Sequence, residues 1–231
     1  MSNIFITTQP IVNNQNPLHD LEHWVNNTYL STKYQSFVNF PLSEIFFIPF
    51  IIPNKIFDAI LFVSPIAIQS FFKCYSLPTN NIFVIGKNSK QILLHELKNS
   101  SKKLNIIYNP KEENIQGLWQ EIKHSNYKNF LIIKGNRGNN LIYRQMNNIG
   151  ISTQIIQTYQ KNYLTVSNEF INLVKSASNV GIYISSSDIY EVLYNNLYNF
   201  PHITLYVKHQ KIIDKIKDKT PWQVVLIKNI R

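Results

Sequence analysis

The sequence lacks several features that mark common protein classes. Its single cysteine, Cys74, excludes an internal disulfide framework and a multi-cysteine zinc or iron–sulfur site. No run approaches the roughly 20 uninterrupted apolar residues of a membrane-spanning helix, because prolines and polar side chains interrupt the most apolar stretch, residues 45–65. The first ten residues lack both a basic region and a long apolar region, so no secretory signal is predicted. We therefore expect a cytoplasmic protein without a membrane association.

Familiar catalytic and nucleotide-binding motifs are missing from the sequence as well. There is no Walker A loop, no G-x-G-x-x-G fingerprint and no G-x-S-x-G nucleophile motif. His19 and His23, four residues apart, have the spacing of metal ligands on a helix, but no third ligand is obvious nearby. Cys74 falls inside a predicted helix and is interpreted as a small core residue. We expect no metal site.

The positive charge is the most prominent feature of the composition. With 23 Lys and Arg against 13 Asp and Glu, the net charge is +10. Such a charge attracts nucleic acid, a membrane surface or a small polyanion. The run of lysines over residues 208–219 is interleaved with Asp214 and Asp218, which is typical of a solvated helix. No basic–aromatic stripe favours nucleic-acid binding.

Short apolar runs alternate with amphipathic segments along the chain. Strands are predicted over residues 3–8, 34–40, 59–63, 81–85, 104–108, 129–134, 152–159, 180–184, 202–207 and 223–227. Helices are predicted over residues 19–30, 67–75, 89–98, 112–124, 139–148, 167–176, 188–196 and 210–217. This alternation predicts an α/β protein with parallel sheets. The near-continuous apolar strands indicate that both sheet faces are covered.

One segment of the first half has a counterpart in the second. AILFVSPIAIQSFF, residues 59–72, and VGIYISSSDIYEVLY, residues 180–194, share an apolar run, a serine turn and an amphipathic helix. A second apolar strand follows each of them. The 231 residues therefore fit two similar α/β halves better than one large sheet.

Ligands of open parallel sheets bind at the carboxyl ends of the strands, beside the N-termini of the following helices. Backbone N–H groups and the helix dipole attract carboxylates or phosphates there. Five predicted strand ends carry small or polar residues, and we call each such segment between a strand and the next helix a corner. The candidate binding residues of the five corners are Thr8, Gln9, Ser64, Pro65, Ile66, Gly86, Lys87, Asn88, Ser89, Gly135, Asn136, Arg137, Gly138, Ser185, Ser186 and Ser187. The alternative is that Ser64, Ser89 and Ser187 only cap helices and that Gly135 and Gly138 only permit a turn.

Short motifs recur at these strand ends in a fixed order. They are Thr8-Gln9-Pro10, Val63-Ser64-Pro65, Ile85-Gly86-Lys87-Asn88-Ser89-Lys90, Gln116-Gly117-Leu118-Trp119, Ile133-Lys134-Gly135-Asn136-Arg137-Gly138-Asn139, Thr158-Tyr159-Gln160, Ile184-Ser185-Ser186 and Val207-Lys208-His209-Gln210-Lys211-Ile212. Their order and spacing resemble those of the uroporphyrinogen-III synthase family. The chain departs from that family's pattern at Gln9, where Arg is usual, at Lys208, where Gly is usual, and at Gln210-Lys211, where a Thr pair is usual.

The resemblance implies an α/β architecture of two similar parallel-sheet domains joined by a two-stranded linker, with the active-site cleft between them. By that pattern, residues 1–40 and 165–231 form a discontinuous first domain, and residues 51–156 form the second. Residues 41–50 and 157–164 are the two linker crossings.

The resemblance also implies the activity: dehydrating cyclisation of hydroxymethylbilane, with inversion of ring D, to give uroporphyrinogen III. That reaction needs neither a metal nor an organic cofactor. Tyr159 matches the family's linker tyrosine and is the expected proton donor, while Lys208, His209 and Gln210 form a further substrate-binding corner. A monomer is expected, without nucleic-acid or membrane partners and with room for a transient contact with hydroxymethylbilane synthase. A non-catalytic two-lobed polyanion-binding protein and an inactive synthase homologue are the alternatives.

Overall fold

A computed structural model of the chain describes residues 2–13, 26, 28–98, 103–137 and 140–227. The chain divides into two compact units, Met1–Ile45 with Asn162–Arg231, and Phe46–Lys161. We call these the terminal unit and the central unit. Most of the helix predicted over residues 19–30 lies outside the described residues, as do His19, His23 and Gly138.

Strands and helices alternate along the described chain as the sequence pattern predicts. The strands are β1 (Asn3–Thr7), β2 (Ile11–Val12), β3 (Ser36–Asn39), β4 (Ser43–Phe47), β5 (Ala59–Phe62), β6 (Asn81–Val84), β7 (Asn105–Ile107), β8 (Asn129–Gly135), β9 (Ser152–Tyr163), β10 (Asn179–Ile184), β11 (Ile203–Val207) and β12 (Gln223–Leu226). The helices are α1 (Thr28–Lys33), α2 (Pro65–Phe72), α3 (Gly86–Glu96), α4 (Ile115–Lys123), α5 (Leu141–Asn148), α6 (Asn168–Ser176), α7 (Ser187–Leu197) and α8 (Gln210–Ile216).

The five-stranded sheet combines strands from both ends of the chain, in the order β12-β11-β10-β1-β3. Its strand pairs are parallel, with Ile4 opposite Val180 and Ile6 opposite Ile182. Ile4 and Ile6 belong to a large apolar cluster on one face, whereas Phe5 between them joins a cluster of aromatic residues on the other. Because successive strand residues point to opposite faces, this division shows that both faces are covered.

The seven-stranded sheet has the order β2-β4-β9-β8-β5-β6-β7. Strand β5 pairs in parallel with β6 and β8, and β8 pairs in parallel with β9. Alternate residues of β5 again enter different cores: Ile60 and Phe62 join one apolar cluster, and Ala59 and Leu61 join another. The predicted α/β class with parallel sheets is confirmed.

Side-chain caps explain where several helices begin. Ser64 Oγ accepts a hydrogen bond from the Ala67 amide at the start of α2, and Pro65 occupies the first helical position. Asn114 Oδ1 accepts from the Gln116 amide at the start of α4 in the same way. These caps satisfy amide groups that have no partner inside their own helix.

Two features of the central part of the chain differ from the sequence prediction. Strand β4 was not predicted, because Pro41 and Pro49 on either side of it favour an irregular connection. The prediction that Cys74 is a small core residue is wrong. Helix α2 ends at Phe72, and Cys74 lies beyond that end with its side chain exposed.

The carboxylate of Asp58 joins the start of β5 to β8. Asp58 Oδ2 accepts hydrogen bonds from the amides of Lys128 (2.8 Å) and Asn129 (2.9 Å), and these bonds lower the pKa of Asp58 below its usual value. A lowered pKa in the folded state means that this stabilisation is present above the unfolded-state pKa and is lost as the pH falls through the folded-state value.

We therefore expect Asp58→Asn to lower Tm at pH 7, and the difference from the parent protein to shrink below about pH 4. Thermal unfolding across the acid range measures this effect. Asp218→Asn, at an exposed position in the terminal unit, is the control for the loss of one carboxylate. A Tm difference for Asp58→Asn that does not vary with pH would contradict the role of the ionised carboxylate.

Candidate active site

Three of the predicted binding corners share one edge of the seven-stranded sheet. Strands β8, β5 and β6 are parallel neighbours, so their carboxyl ends lie side by side. Ser64 and Pro65 follow β5, Gly86 follows β6, and Gly135 is the last residue of β8. Open parallel sheets bind ligands at this edge.

Tyr159 of β9 reaches the corner that follows β5. Its hydroxyl lies 3.1 Å from Ser64 Oγ, the same atom that caps α2. Gly135 lies opposite Tyr159 in the β8–β9 ladder, and the Asn136 amide donates to the Tyr159 carbonyl oxygen at 3.2 Å. The structure thus brings together Ser64, Gly135 and Tyr159 of the predicted site residues.

Gly135 leaves the space that the Tyr159 ring fills. A Cβ atom at position 135 would lie 2.3 Å from ring atom Cε2 and 2.5 Å from Cζ, closer than any real contact. The glycine was predicted either to bind substrate or to permit a turn. In the structure its lack of a side chain lets the phenol ring pack directly against the backbone of β8.

A β-bulge directs Tyr159 toward Ser64. Lys134 pairs with Gln157 and Gly135 pairs with Tyr159, so Thr158 is one extra residue in β9. In a regular strand, Tyr159 would face away from its neighbour Thr158 and from Ile156. Tyr159 instead packs on the same apolar cluster as Ile156, because the extra residue shifts the alternation.

The environment of Tyr159 favours the protonated phenol. Burial raises the pKa of Tyr159, and its hydrogen bonds with Ser64 and with the Gly135 backbone partly oppose that rise. The phenol is therefore fully protonated at neutral pH and available as an acid. Lys134, the residue before Gly135 in β8, is buried and donates to Asn140 Oδ1 at 2.8 Å, and burial lowers the pKa of this lysine.

The corner that follows β6 already holds a carboxylate from the protein. Gly86 has a φ of +73°, and the next amide, that of Lys87, donates to Glu113 Oε2 at 3.1 Å. Ser89 is buried three residues into α3, so it does not cap that helix. Glu113 therefore occupies the kind of position at the N-terminus of α3 that was predicted for a substrate carboxylate.

The terminal unit has its own row of corners along one edge of the five-stranded sheet, where β11, β10 and β1 are parallel neighbours. The Thr8 hydroxyl is buried and donates to the Tyr183 carbonyl oxygen at 2.8 Å, while the Gln9 amide donates to Asn39 Oδ1. Thr8 therefore joins β1 to β10 through its side chain.

The serines after β10 differ in their surroundings. Ser186 holds the N-cap position of α7 but does not cap it, and its buried Oγ has no partner within the described ranges. Ser187 Oγ lies 3.4 Å from Lys215 Nζ, and Ser185 is exposed. Of the three, Ser186 has the hydroxyl with unused hydrogen-bonding capacity.

The corner after β11 carries positive charge. Lys208, His209 and Gln210 are exposed, and the Gln210 side chain donates to Asp214 Oδ1. Desolvation lowers the pKa of His209, and the charges of Lys208 and Lys211 lower it further. His209 is therefore a neutral hydrogen-bonding group near pH 7, flanked by two cations.

The remaining predicted site residues lie in the first turns of helices α2 and α3 and in the loop after β8. Pro65 and Ile66 form the first turn of α2, and Asn88 lies in the first turn of α3. Asn136 Oδ1 accepts from the Lys161 amide, and Arg137 follows it in the loop after β8. Gly138 lies outside the described residues.

Three groups around this site were not predicted from the sequence. Ser70 is a polar residue followed by Phe71 and Phe72 in a largely apolar helix, a signal that marks it as unusual, whereas Thr158 lies between Gln157 and Tyr159 in a polar stretch that gives no such signal. Glu113 is exposed, and nothing in the sequence indicated its contact with the Lys87 amide. Within the described ranges, no three His, Cys, Asp or Glu side chains are grouped so that they could hold a metal ion. No described helix is long and apolar enough to cross a membrane.

Comparisons with known proteins agree on one family. The family model for uroporphyrinogen-III synthase HemD matches residues 38–217. A solved uroporphyrinogen-III synthetase from Helicobacter pylori is 9% identical, with a TM-score of 0.62 and coverage of 97% of this chain and 92% of that chain. A mutant uroporphyrinogen III synthase from Thermus thermophilus is 10% identical, with a TM-score of 0.56 and coverage of 98% of this chain and 94% of that chain. No curated protein matches the chain.

Proposed function

We propose specific roles for the residues of this site, on the premise that the chain belongs to the uroporphyrinogen-III synthase family and catalyses the cyclisation of hydroxymethylbilane to uroporphyrinogen III. The observation that carries the proposal is the hydrogen-bonded position of Tyr159 beside Ser64 and Gly135. The substrate is a linear tetrapyrrole whose side chains carry carboxylates, and its terminal ring carries the hydroxyl group that leaves.

Tyr159 is the proposed proton donor to that hydroxyl group. Hydroxide is a poor leaving group, so protonation as the C–O bond breaks releases water and leaves an azafulvene cation. The Tyr159 phenol is protonated at neutral pH, as an acid must be, and its proton moves as negative charge develops on the leaving oxygen. General acid catalysis of this kind contributes on the order of 10²- to 10⁴-fold.

Ser64 and Gly135 support the acid at the moment of transfer. In the arrangement where Ser64 donates its hydroxyl proton to the Tyr159 oxygen, Ser64 Oγ still accepts from the Ala67 amide. The Gly135 backbone bond adds a second interaction that favours the phenolate. The phenol proton then points away from Ser64 and from the Gly135 backbone. These two groups are already in place to stabilise the negative charge that develops on the phenol oxygen.

Selecting isomer III needs positioning more than strong acids or bases. Without an enzyme the bilane closes to the uninverted isomer I. Inversion proceeds when the cation is attacked at the substituted carbon of ring D, which gives a spiro intermediate that fragments and recloses. A preference of about 100-fold between the two routes needs a barrier difference of only ~2.7 kcal/mol. Holding the two ends of the bilane in one geometry supplies a difference of that size.

We assign the strand-end corners to binding the substrate carboxylates, mainly through backbone N–H groups. In the terminal unit, the cations Lys208 and Lys211 suit this role, as does the Ser186 hydroxyl, which has no partner among the residues that the structure describes. The proposal includes a cytoplasmic monomer that receives its substrate from hydroxymethylbilane synthase by transient contact.

The activity is tested by supplying porphobilinogen and hydroxymethylbilane synthase, also called porphobilinogen deaminase, which produces the bilane in the reaction mixture. The products are oxidised and the porphyrin isomers separated by chromatography. The expected result is mainly isomer III. Only isomer I from a folded sample would overturn the activity, and tight binding of the intact bilane without turnover would indicate a non-catalytic polyanion-binding protein.

The contact between Glu113 and the Lys87 amide leads to a prediction about substrate affinity. If a substrate carboxylate takes that amide, it must displace Glu113 first. Glu113→Gln removes the negative charge of the side chain that competes with the substrate for the Lys87 amide. We therefore expect KM to fall about threefold, which corresponds to the free energy of one exposed electrostatic contact, with kcat unchanged.

Glu112→Gln is the matched control, because it removes the same charge one residue earlier in the same loop. Steady-state kinetics with prepared bilane compares the two variants. Equal KM values for Glu113→Gln and Glu112→Gln would show that no substrate group competes for the Lys87 amide.

A further inference from the structure

A pair of buried hydroxyl groups lies beside the candidate acid, between helix α2 and strand β9. Ser70 Oγ and Thr158 Oγ1 are 2.6 Å apart, and the two residues are 1% and 0% exposed. Ser70 Oγ also lies 3.2 Å from the Ala67 carbonyl oxygen. When Ser70 donates to that carbonyl, Thr158 donates to Ser70, so each hydroxyl hydrogen has an acceptor.

The position of this pair is specific. Thr158 is the extra residue of the bulge, and it immediately precedes Tyr159. Near Ser70 on α2, the residues Ala67, Ile68 and Phe71 all belong to the apolar core. Burying polar groups among such residues is costly unless they bond to one another, and two apolar side chains of similar size would fill the same space.

The pair and the acid are joined to the same turn of helix α2. Thr158 bonds to Ser70, and Ser70 bonds to the carbonyl of Ala67. The amide of Ala67 donates to Ser64 Oγ, which in turn bonds to the Tyr159 hydroxyl. Two consecutive β9 residues are thus attached to one short helix by two separate hydroxyl contacts.

We propose that Ser70 and Thr158 are positioning residues: their hydrogen bond holds the β9 bulge in register and thereby aims the Tyr159 phenol at Ser64 and at the reacting hydroxyl. This inference rests on the proposed role of Tyr159 as the acid. The Ile48 amide also holds the Thr158 carbonyl oxygen at 3.0 Å, so backbone bonds keep β9 in its sheet, while the bond to Ser70 attaches the Thr158 side chain to α2. Without the Ser70 bond the bulge is held less firmly, and the Tyr159 hydroxyl spends less time beside Ser64.

Thr158→Val tests the proposal, because it keeps the side-chain shape and removes the hydroxyl. We expect kcat to fall about fivefold, with KM within twofold, since the variant misplaces a catalytic group and leaves the binding corners intact. Thr158→Ser, which keeps the hydroxyl, should restore kcat. Thr153→Val is the matched control, because Thr153 lies on the same strand and loses a hydrogen bond to Asn147. It should leave kcat unchanged.

A double-mutant cycle separates positioning from general destabilisation. In a Tyr159→Phe background there is no acid to aim, so Thr158→Val should lower kcat no further. An equal loss in both backgrounds would overturn the positioning role while leaving the acid role of Tyr159 intact. If Tyr159→Phe alone leaves kcat unchanged, the acid role fails, and the positioning role fails with it.

The pair can also be removed without leaving a buried hydroxyl unsatisfied. The Ser70→Ala/Thr158→Val double variant replaces both partners by apolar groups, which is far milder than removing one. If Thr158→Val alone does not fold, this double variant takes its place in the kinetic test. A folded double variant with the parent kcat would overturn the proposal. A kcat lowered about fivefold by the double variant in the parent background, with no loss when the same changes are made in the Tyr159→Phe background, would support it.

Discussion

Tyr159→Phe should lower kcat by at least about tenfold, because it removes the proposed acid while keeping the ring. The ring packs against Gly135 and the adjoining apolar cluster, and phenylalanine keeps those contacts. Ser64 keeps its capping bond to the Ala67 amide. We therefore expect Tm to change by no more than a few degrees, so that the kinetic loss is not a folding defect.

The distribution of products should change along with the rate. Bilane that is not turned over closes spontaneously to isomer I, so slower loss of hydroxide on the enzyme leaves more substrate to that route. In the coupled assay, Tyr159→Phe should raise the share of isomer I as the enzyme concentration is lowered. At high enzyme concentration isomer III should still dominate, because the groups that hold the substrate are unchanged.

The matched control for this variant is Tyr127→Phe, the same chemical change in the same unit. The Tyr127 hydroxyl accepts a hydrogen bond from Asn105 at 3.3 Å, at the other end of the strands from the candidate site. It should leave kcat unchanged. Equal turnover by Tyr159→Phe and the parent protein would remove Tyr159 from the mechanism, and the search for the proton donor would move to other corner residues.

Local chemistry accounts for the parts of this structure that the sequence predicted. The apolar run of β5 was predicted over residues 59–63 and spans Ala59–Phe62, because an uninterrupted apolar run between turn residues has few alternatives to a buried strand. The alternative interpretation of Ser64 was that it caps a helix, and Ser64 does cap α2, which begins at Pro65, two residues before the predicted start. Because neighbouring parallel strands end at the same edge of a sheet, their carboxyl ends lie side by side. The strand order therefore decides which candidate corners are adjacent.

Contacts between distant segments were beyond the sequence pattern. A period of two along residues 152–159 cannot show that Thr158 is an extra residue, since the bulge is defined by the pairing of β9 with β8. The same holds for Glu113, whose contact with Lys87 joins residues 26 positions apart. The resemblance to a family singled out Tyr159, but only the bulge explains how its hydroxyl comes within 3.1 Å of Ser64.

Gly135→Ala should impair the protein more broadly than loss of the phenol hydroxyl. The new Cβ would lie 2.3–2.8 Å from three atoms of the Tyr159 ring, so the ring must move away from β8. Overpacking of this kind typically costs about 1–3 kcal/mol of stability. Displacing a catalytic group by about 1 Å can cost about 100-fold in rate, so we expect kcat to fall by about that factor. Thermal unfolding and the isomer assay measure the two effects.

The cause can be separated from a general intolerance of alanine. Gly150→Ala meets nothing within 4 Å but places a side chain at a φ of +77°, so it should cost about 1–2 kcal/mol through backbone strain and leave kcat unchanged. Truncating the ring in the Tyr159→Ala/Gly135→Ala double variant removes the clash. The stability loss caused by Gly135→Ala should then largely disappear when the double variant is compared with Tyr159→Ala alone. A loss of equal size in both backgrounds would show that the backbone of β8, and not the Tyr159 ring, requires glycine at this position.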